Sequence, residues 1–304
     1  MRRVPEMEDK AVKVYKEFTF FKWKTVLVMI CFIIILSLGV SIFLGPPFLH
    51  KETINFIYVW QPGWLIETEY LIYGIIIISA IIASLVETWN IQRTITSVRN
   101  ILYKECDADL FLEIADYGLK YVIKQPNYKS GEIKNKYKLA YMYFERFYVE
   151  ALNAKGRYAD ALEYLENDWR SKRNTLIYRL LIQNTKLNIA YEKKDKKAHN
   201  EVLKAAVQRI KKSKVMVAQR LILEEDYYGA IEVLEGMKPR VCYEKVIQYW
   251  GFAKCYIKLG NYEKVKMYID FILENGNSTI VKEKALEMVN KLIVFNKEAQ
   301  GELL

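Results

Sequence analysis

Apolar residues follow two different patterns along this chain, and the change comes near residue 90. Residues 26–44 run for nineteen positions without a charge and residues 71–86 for sixteen, the second extendable to about 70–89. A hydrocarbon core roughly 30 Å thick needs about 20 helical residues, so the pattern predicts two transmembrane helices, near 26–45 and 70–89. The first run exceeds the ~7–15 apolar residues of a signal peptide, and Pro46 and Pro47 end it without a small-residue cleavage pattern. The second is apolar all round, as a lipid-facing helix is. Gly74, Ser79, Ala80, Ala83 and Ser84 put small residues where a partner helix approaches, with Gly39 as the counterpart on the first run.

Beyond residue 90 the apolar positions recur at helical spacing, and no alternating strand pattern persists. Polar breaks at 125–131, 155–157, 193–197, 224–226, 236–240, 260–261 and 275–278 cut this region into segments of helix length. That texture predicts an array of antiparallel helix pairs. Residues 108–123 form one helix with Asp107 as its N-cap, and residues 280–295 form a terminal helix that covers the end of the array. The expected fold class is all-α: a two-helix transmembrane hairpin followed by an irregular α-solenoid.

Charge adds an orientation. Seven basic side chains precede the first run, Lys51 alone lies between the runs, and Arg93, Arg99 and Lys104 follow the second. Positive residues stay on the cytoplasmic side, so a multi-pass protein of the cell membrane with both termini cytoplasmic is expected. Trp23 and Trp89 would mark the inner interface, Trp60 and Trp64 the outer one. The domains follow: a cytoplasmic segment 1–25, the spans and a short outside link at 26–89, juxtamembrane helices at 90–130, and a helical repeat domain at 131–304. Four cysteines without C-x-x-C spacing suit a reducing compartment. The Lys-, Ile- and Tyr-rich composition suits a bacterium of low GC content.

Two of the breaks share a fuller pattern. Gly156 is followed by Tyr158 and Ala161, and Gly260 by Tyr262 and Val265; a weaker copy runs through Glu225, Asp226, Tyr227 and Ala230. This resembles the tetratricopeptide repeat, whose unit is two helices joined by a G-x-Y turn. The match covers about 131–276 and lacks the usual closing proline, and a pair built on Ala190, Tyr191 and Asp195 lacks the glycine. The resemblance implies that the turn tyrosine wedges between helices and that Ala253 and Tyr256 pack inside a pair. Either Tyr249 or Trp250 fills the large packing position. It also implies that first helices line a concave groove for a protein or peptide partner. The groove positions are then Tyr143, Arg146, Glu150, Asn153, Lys212, Gln219, Trp250, Lys254, Ile257 and Lys258.

No constellation for catalysis accompanies this. Phosphate loops, dinucleotide fingerprints and nucleophile elbows are absent from the sequence, and His199 has no Cys or His near it for zinc. Cys106 sits between Glu105 and Asp107, which raise a thiol pKa, so it reads as a buried helix-start residue. No enzyme activity, cofactor or metal is expected. Lys193, Lys194, Lys196, Lys197, Lys204, Arg209, Lys211, Lys212 and Lys214 cluster within 22 residues. They read as a solvated helix face, as a contact for anionic lipid, or as a site for an acidic protein segment; nucleic acid is not expected, because no exposed aromatics interleave. The function expected is a membrane-anchored interaction or scaffold protein that recruits a protein or peptide. The alternative is a subunit or assembly factor of a larger membrane complex, with the hairpin as its contact surface.

Overall fold

The structure, a computed structural model, describes residues 3–19, 62–124, 135–171 and 175–299, with the single positions 27, 30, 31, 33 and 34. Most of the first apolar run, the link after it and the break at 125–131 therefore lie outside the described residues. Among the described residues the chain is all-α, without a strand. Also among them, no helix is long and apolar enough to cross a membrane. Of the run 71–86, the side chains are described only from Ile77 onward.

Two compact units divide the chain: Lys13–Ile95, and Met1–Val12 with Thr96–Leu304. Helix α1 (Arg3–Thr19) buries Ala11, Val14 and Tyr15, three positions on one face. Helix α2 (Pro62–Tyr103) is 42 residues long and does not stop where the second apolar run stops. In its first part the described burial is inverted. Ser79 and Ala83 are buried, while Ile77, Ile78, Ile81 and Leu85 are each more than half exposed. Its last turns bury Val98, Ile101 and Leu102 in the larger unit.

That unit continues with α3 (Ala108–Ile123), α4 (Asn135–Ala154), α5 (Tyr158–Glu163) running into a π-helical turn (Tyr164–Asp168), and α6 (Leu176–Glu192). Then come α7 (Lys196–Ala205), α8 (Gln208–Lys211), α9 (Lys214–Leu223), α10 (Tyr227–Glu235), α11 (Cys242–Lys258), α12 (Tyr262–Asn275) and α13 (Ile280–Ala299). Consecutive helices pack in pairs, and α4, α6, α9, α11 and α13 also touch in that order, each against the next. First helices of successive pairs thus form one layer.

The pairs share one turn. A residue with positive φ ends the first helix at Cys106 (54°), Gly156 (71°), Lys194 (55°), Glu225 (64°) and Gly260 (72°). The next residue donates its N–H five positions back in four of them: Arg157 to Leu152, Asp195 to Ala190, Asp226 to Leu221 and Asn261 to Tyr256, at 2.9–3.0 Å. Asp107 reaches one residue further, to Ile101 at 2.9 Å. This is the Schellman arrangement, which satisfies carbonyls at a helix end. The same residue then caps the following helix: Asp107, Asp195, Asp226 and Asn261 each accept an N–H three residues on. The turn at Cys106 repeats it, so α2 and α3 join like the later pairs.

The first and last turns of this unit meet. Asp109 N donates to Ser278 Oγ at 3.0 Å, Ser278 Oγ to Asp107 Oδ1 at 2.9 Å, and Asn277 Nδ2 to the Glu105 carbonyl at 3.1 Å. Lys155 bridges to Asp109 at 3.1 Å and Glu283 at 3.4 Å. Buried Cys106 belongs to the same apolar cluster as Phe252, Val265 and Ile269.

Glycine is required more strongly at Gly156 than at Gly260. Both have positive φ, but a Cβ at Gly156 would stand 2.6 Å from Ile280 Cγ1, whereas nothing lies within 4 Å at Gly260. Gly260→Ala should cost only the left-handed strain, about 1 kcal/mol. Gly156→Ala adds a clash at the closure and should cost about 2–3 kcal/mol. Thermal melting of the two variants separates them; equal Tm losses would contradict the close contact.

Candidate functional site

Four of the expected groove residues come together. Asn153 from α4, Gln219 from α9, and Trp250 and Lys254 from α11 line one cavity of about 170 Å³. Asn184, Asn188, Tyr191 and Glu192 of α6 and Lys284 of α13 add to its polar wall. The heptad-like spacing of the first helices explains the convergence, because each contributes one inward stripe.

The others lie elsewhere. Arg146 and Glu150 form an ion pair at 2.8 Å one to two turns back along α4. Tyr143 packs on Phe147, with ring centroids 6.1 Å apart. Ile257 is half-buried against the α10–α13 core. Lys212 and Lys258 are exposed and line no part of the cavity. Lys212 follows α8 instead of standing on a first helix, which is why alignment on the weak repeat misplaces it.

Tyr249 and Trp250 separate cleanly. The Tyr249 ring lies 4.7 Å from Phe271 and 5.0 Å from Tyr268, inside the helix pair. Trp250, one residue on, turns to the cavity. Ala253 and Tyr256 are buried as expected, but Tyr262 is 55% exposed and wedges between no helices. Tyr158, the matching residue of the other turn, does line the cavity.

Lys254 dominates the electrostatics. Its Nζ lies 4.3 Å from the Tyr191 ring centroid and 5.0 Å from that of Trp250, and it donates to the Tyr191 hydroxyl at 3.3 Å. Burial pushes its pKa down to about 8, with Glu192 opposing the shift. Burial likewise raises the Tyr191 phenol. Glu192 is itself paired with Lys284.

The carboxamides are partly satisfied. Asn153 Nδ2 donates to the Val149 carbonyl at 2.9 Å and to Thr185 Oγ1 at 3.0 Å, and Gln219 Nε2 to Asn188 Oδ1 at 3.4 Å. Asn153 Oδ1 and Gln219 Oε1 are buried without a partner among the described residues. Gln219 lies beside His199, whose two ring nitrogens also make no bond of good geometry; burial lowers the His199 pKa.

Two residues outside the expected set carry chemistry. Glu145 on α4 is fully buried, and its carboxylate accepts from Arg170 N at 2.6 Å, Ser171 N at 3.2 Å and the Ser171 hydroxyl. Desolvation pushes its pKa up to about 7 despite these donors. Sequence register held the signal, since Tyr141, Glu145, Tyr148 and Leu152 share one helical face. Cys106 is buried as expected, but burial and the Cys242 thiol, not the flanking carboxylates, push its pKa up to about 12.

The basic cluster is exposed at all nine positions, spread from the end of α6 to the start of α9, so it is not one helix face. No group of three or more Cys, His, Asp or Glu among the described residues could hold a metal ion. No protein-family model, curated protein or solved structure matches the chain.

Proposed function

We propose that this chain is a membrane-anchored interaction protein, with transmembrane helices near 26–45 and 70–89 and a tetratricopeptide-like cytosolic array that captures a protein or peptide. The observation carrying this reading is the convergence of Asn153, Gln219, Trp250 and Lys254, drawn from three first helices, on one polar-walled cavity. Aromatic and cationic side chains in a shared recess are the usual anchors of a partner.

Support for the anchor comes from exposure. Leu27, Ile30 and Ile34 are exposed at helical spacing, as are Ile77, Ile78, Ile81, Leu85 and Trp89. Contiguous exposed apolar surface of this kind is rare on proteins bathed in water. The exposed lysines near 193–214 suit an anionic leaflet as a secondary contact, each contributing about 1 kcal/mol close to the surface.

Crosslinking in native membranes tests the reading. Trp250→Ala should lower recovery of the captured partner about tenfold, the effect of losing an anchor worth ~1.4 kcal/mol or more. Recovery unchanged in both Trp250→Ala and Asn153→Ala would remove the inner face as the binding surface.

A second reading, a subunit or assembly factor gripping its complex through the spans, is favoured by one feature. Ile77, Ile78, Ile81 and Leu85 stand exposed on one stretch of α2, an apolar face that the spans of a complex could cover. Under that reading Ile81→Ser abolishes co-purification while Trp250→Ala does not.

A further inference from the structure

The cavity wall carries two ammonium groups, Lys254 and Lys284, against one carboxylate, Glu192. Glu192 pairs with Lys284 and also attracts Lys254, whose own contacts are the Tyr191 hydroxyl and two ring faces, so one positive charge is left over. Ring faces attract an ammonium but do not replace a counterion in a recess away from water. An anion from outside would supply what the wall omits.

A second observation limits what that anion carries. Asn153 Oδ1 is a buried acceptor without a donor. Its carboxamide cannot simply turn over, because Nδ2 donates to the Val149 carbonyl and a flip would set two oxygens against each other. Buried acceptors in this condition signal a missing partner.

Size gives the third limit. About 170 Å³ is well above the room that a single water needs. That admits a small molecule or a single side chain of a partner. The apolar part of the wall, Val215, Met216, Ile247 and Val281, suits a short hydrocarbon side chain.

We propose that the cavity is a binding site for a small 2-hydroxy- or 2-amino-carboxylic acid, its carboxylate on Lys254 and its adjacent O–H or N–H donating to Asn153 Oδ1. The site needs no protein partner, so it stands apart from the recruitment reading. Because Trp250 and Lys254 belong to both, an occupant would also control capture at that face.

Thermal melting of the full-length chain in detergent micelles tests this. The probes are the 2-hydroxy acids and 2-amino acids of two to six carbons, L-lactate and L-alanine among them. Propionate lacks the donor, and lactamide lacks the charge. At a hundredfold excess over Kd, a fitting acid should raise Tm by roughly 5–10 °C. Propionate and lactamide should give less than a third of that, and Lys254→Met should abolish it. Hydroxy and amino acids are separate arms, and the larger shift identifies the donor.

Binding should weaken as pH rises through about 8, where Lys254 loses its proton. The charged and titratable groups facing it are Tyr191, Glu192 and Lys194 from the α6 side, Lys284 from α13, and Cys255 on its own helix. Of these, Glu192 holds the proton on and Lys284 and Lys194 push it off. No shift with any acid, or equal shifts with lactate, propionate and lactamide, overturns the proposal. Partner crosslinking that persists alongside such a result leaves the recruitment reading standing, so the two fail separately.

Discussion

Glu145→Ala should destabilise the larger unit by about 4 kcal/mol. The carboxylate is fully buried and receives two backbone N–H groups, from Arg170 and Ser171, with the Ser171 hydroxyl. Alanine leaves all three without an acceptor, at about 1–3 kcal/mol for each donor stranded away from water. Partial entry of water into the vacated space offsets some of that sum. The residues concerned follow the π-helical turn and lead to α6, so the loss should loosen the packing of Trp169 against Tyr178, whose ring centroids are 5.6 Å apart. Denaturant titration at pH 6 measures the loss; a change below about 1 kcal/mol would mean the loop is held by Trp169 alone.

The same group gives the fold a pH dependence with a definite sign. Its folded pKa, raised to about 7 chiefly by desolvation, lies above the ordinary value of 4.5. The folded state therefore holds a proton that the unfolded state has released between these values. Stability from this group is fully present below 4.5 and declines as pH rises through 7, by about 3 kcal/mol. Glu145→Gln carries no such proton, so the stability difference between parent and variant should shift by that amount from pH 4.5 to 7.5. A difference that stays flat would place the carboxyl at its ordinary pKa.

How much of this was legible beforehand depends on the range over which each feature is encoded. Helix α3 was readable to its ends, because Asp107 caps it and its apolar residues keep one face. The glycine turns at Gly156 and Gly260 were readable too. Their relatives at Cys106, Lys194 and Glu225 were harder, since residues with a Cβ seldom occupy positive φ. There the durable signal is the residue after the turn, Asp or Asn in four of five cases, which caps the next helix. A search keyed to glycine passes over a turn that is specified by its cap.

The meeting of the first and last turns was not legible at all. Asp109 and Ser278 are separated by 169 residues, and no local pattern announces a hydrogen bond at that distance. A groove was expected along the first helices, and what they line is a recess of about 170 Å³. Four of the ten expected groove positions line the cavity, and the others stand apart for a related reason. Alignment on Gly156 and Gly260 carries the helical register correctly to Asn153, Trp250 and Lys254. Around Lys212 it fails, because short α8 interrupts the two-helix pattern and shifts the frame.

Lys254→Met should make the protein more stable at neutral pH, by about 2 kcal/mol, while removing whatever the cavity holds. Burial lowers this lysine's pKa from 10.5 to about 8, so the folded state pays for a charge that the unfolded chain carries freely in water. The full shift corresponds to about 3 kcal/mol. Contact with the Tyr191 and Trp250 faces returns about 1 kcal/mol of it, and methionine keeps the stem's packing without the charge. The pH dependence runs opposite to that of Glu145. Between 8 and 10.5 the unfolded state binds the extra proton, so the parent gains stability as pH rises and the advantage of the variant fades. Denaturant titrations of both proteins at pH 7 and pH 10.5 read this directly. A Lys254→Met variant less stable than its parent at pH 7 would mean that the ring faces and the Tyr191 hydroxyl outweigh the cost of burying the ammonium. A more stable variant marks Lys254 as a residue retained at a cost to folding, the pattern expected where binding and not packing sets the choice of side chain.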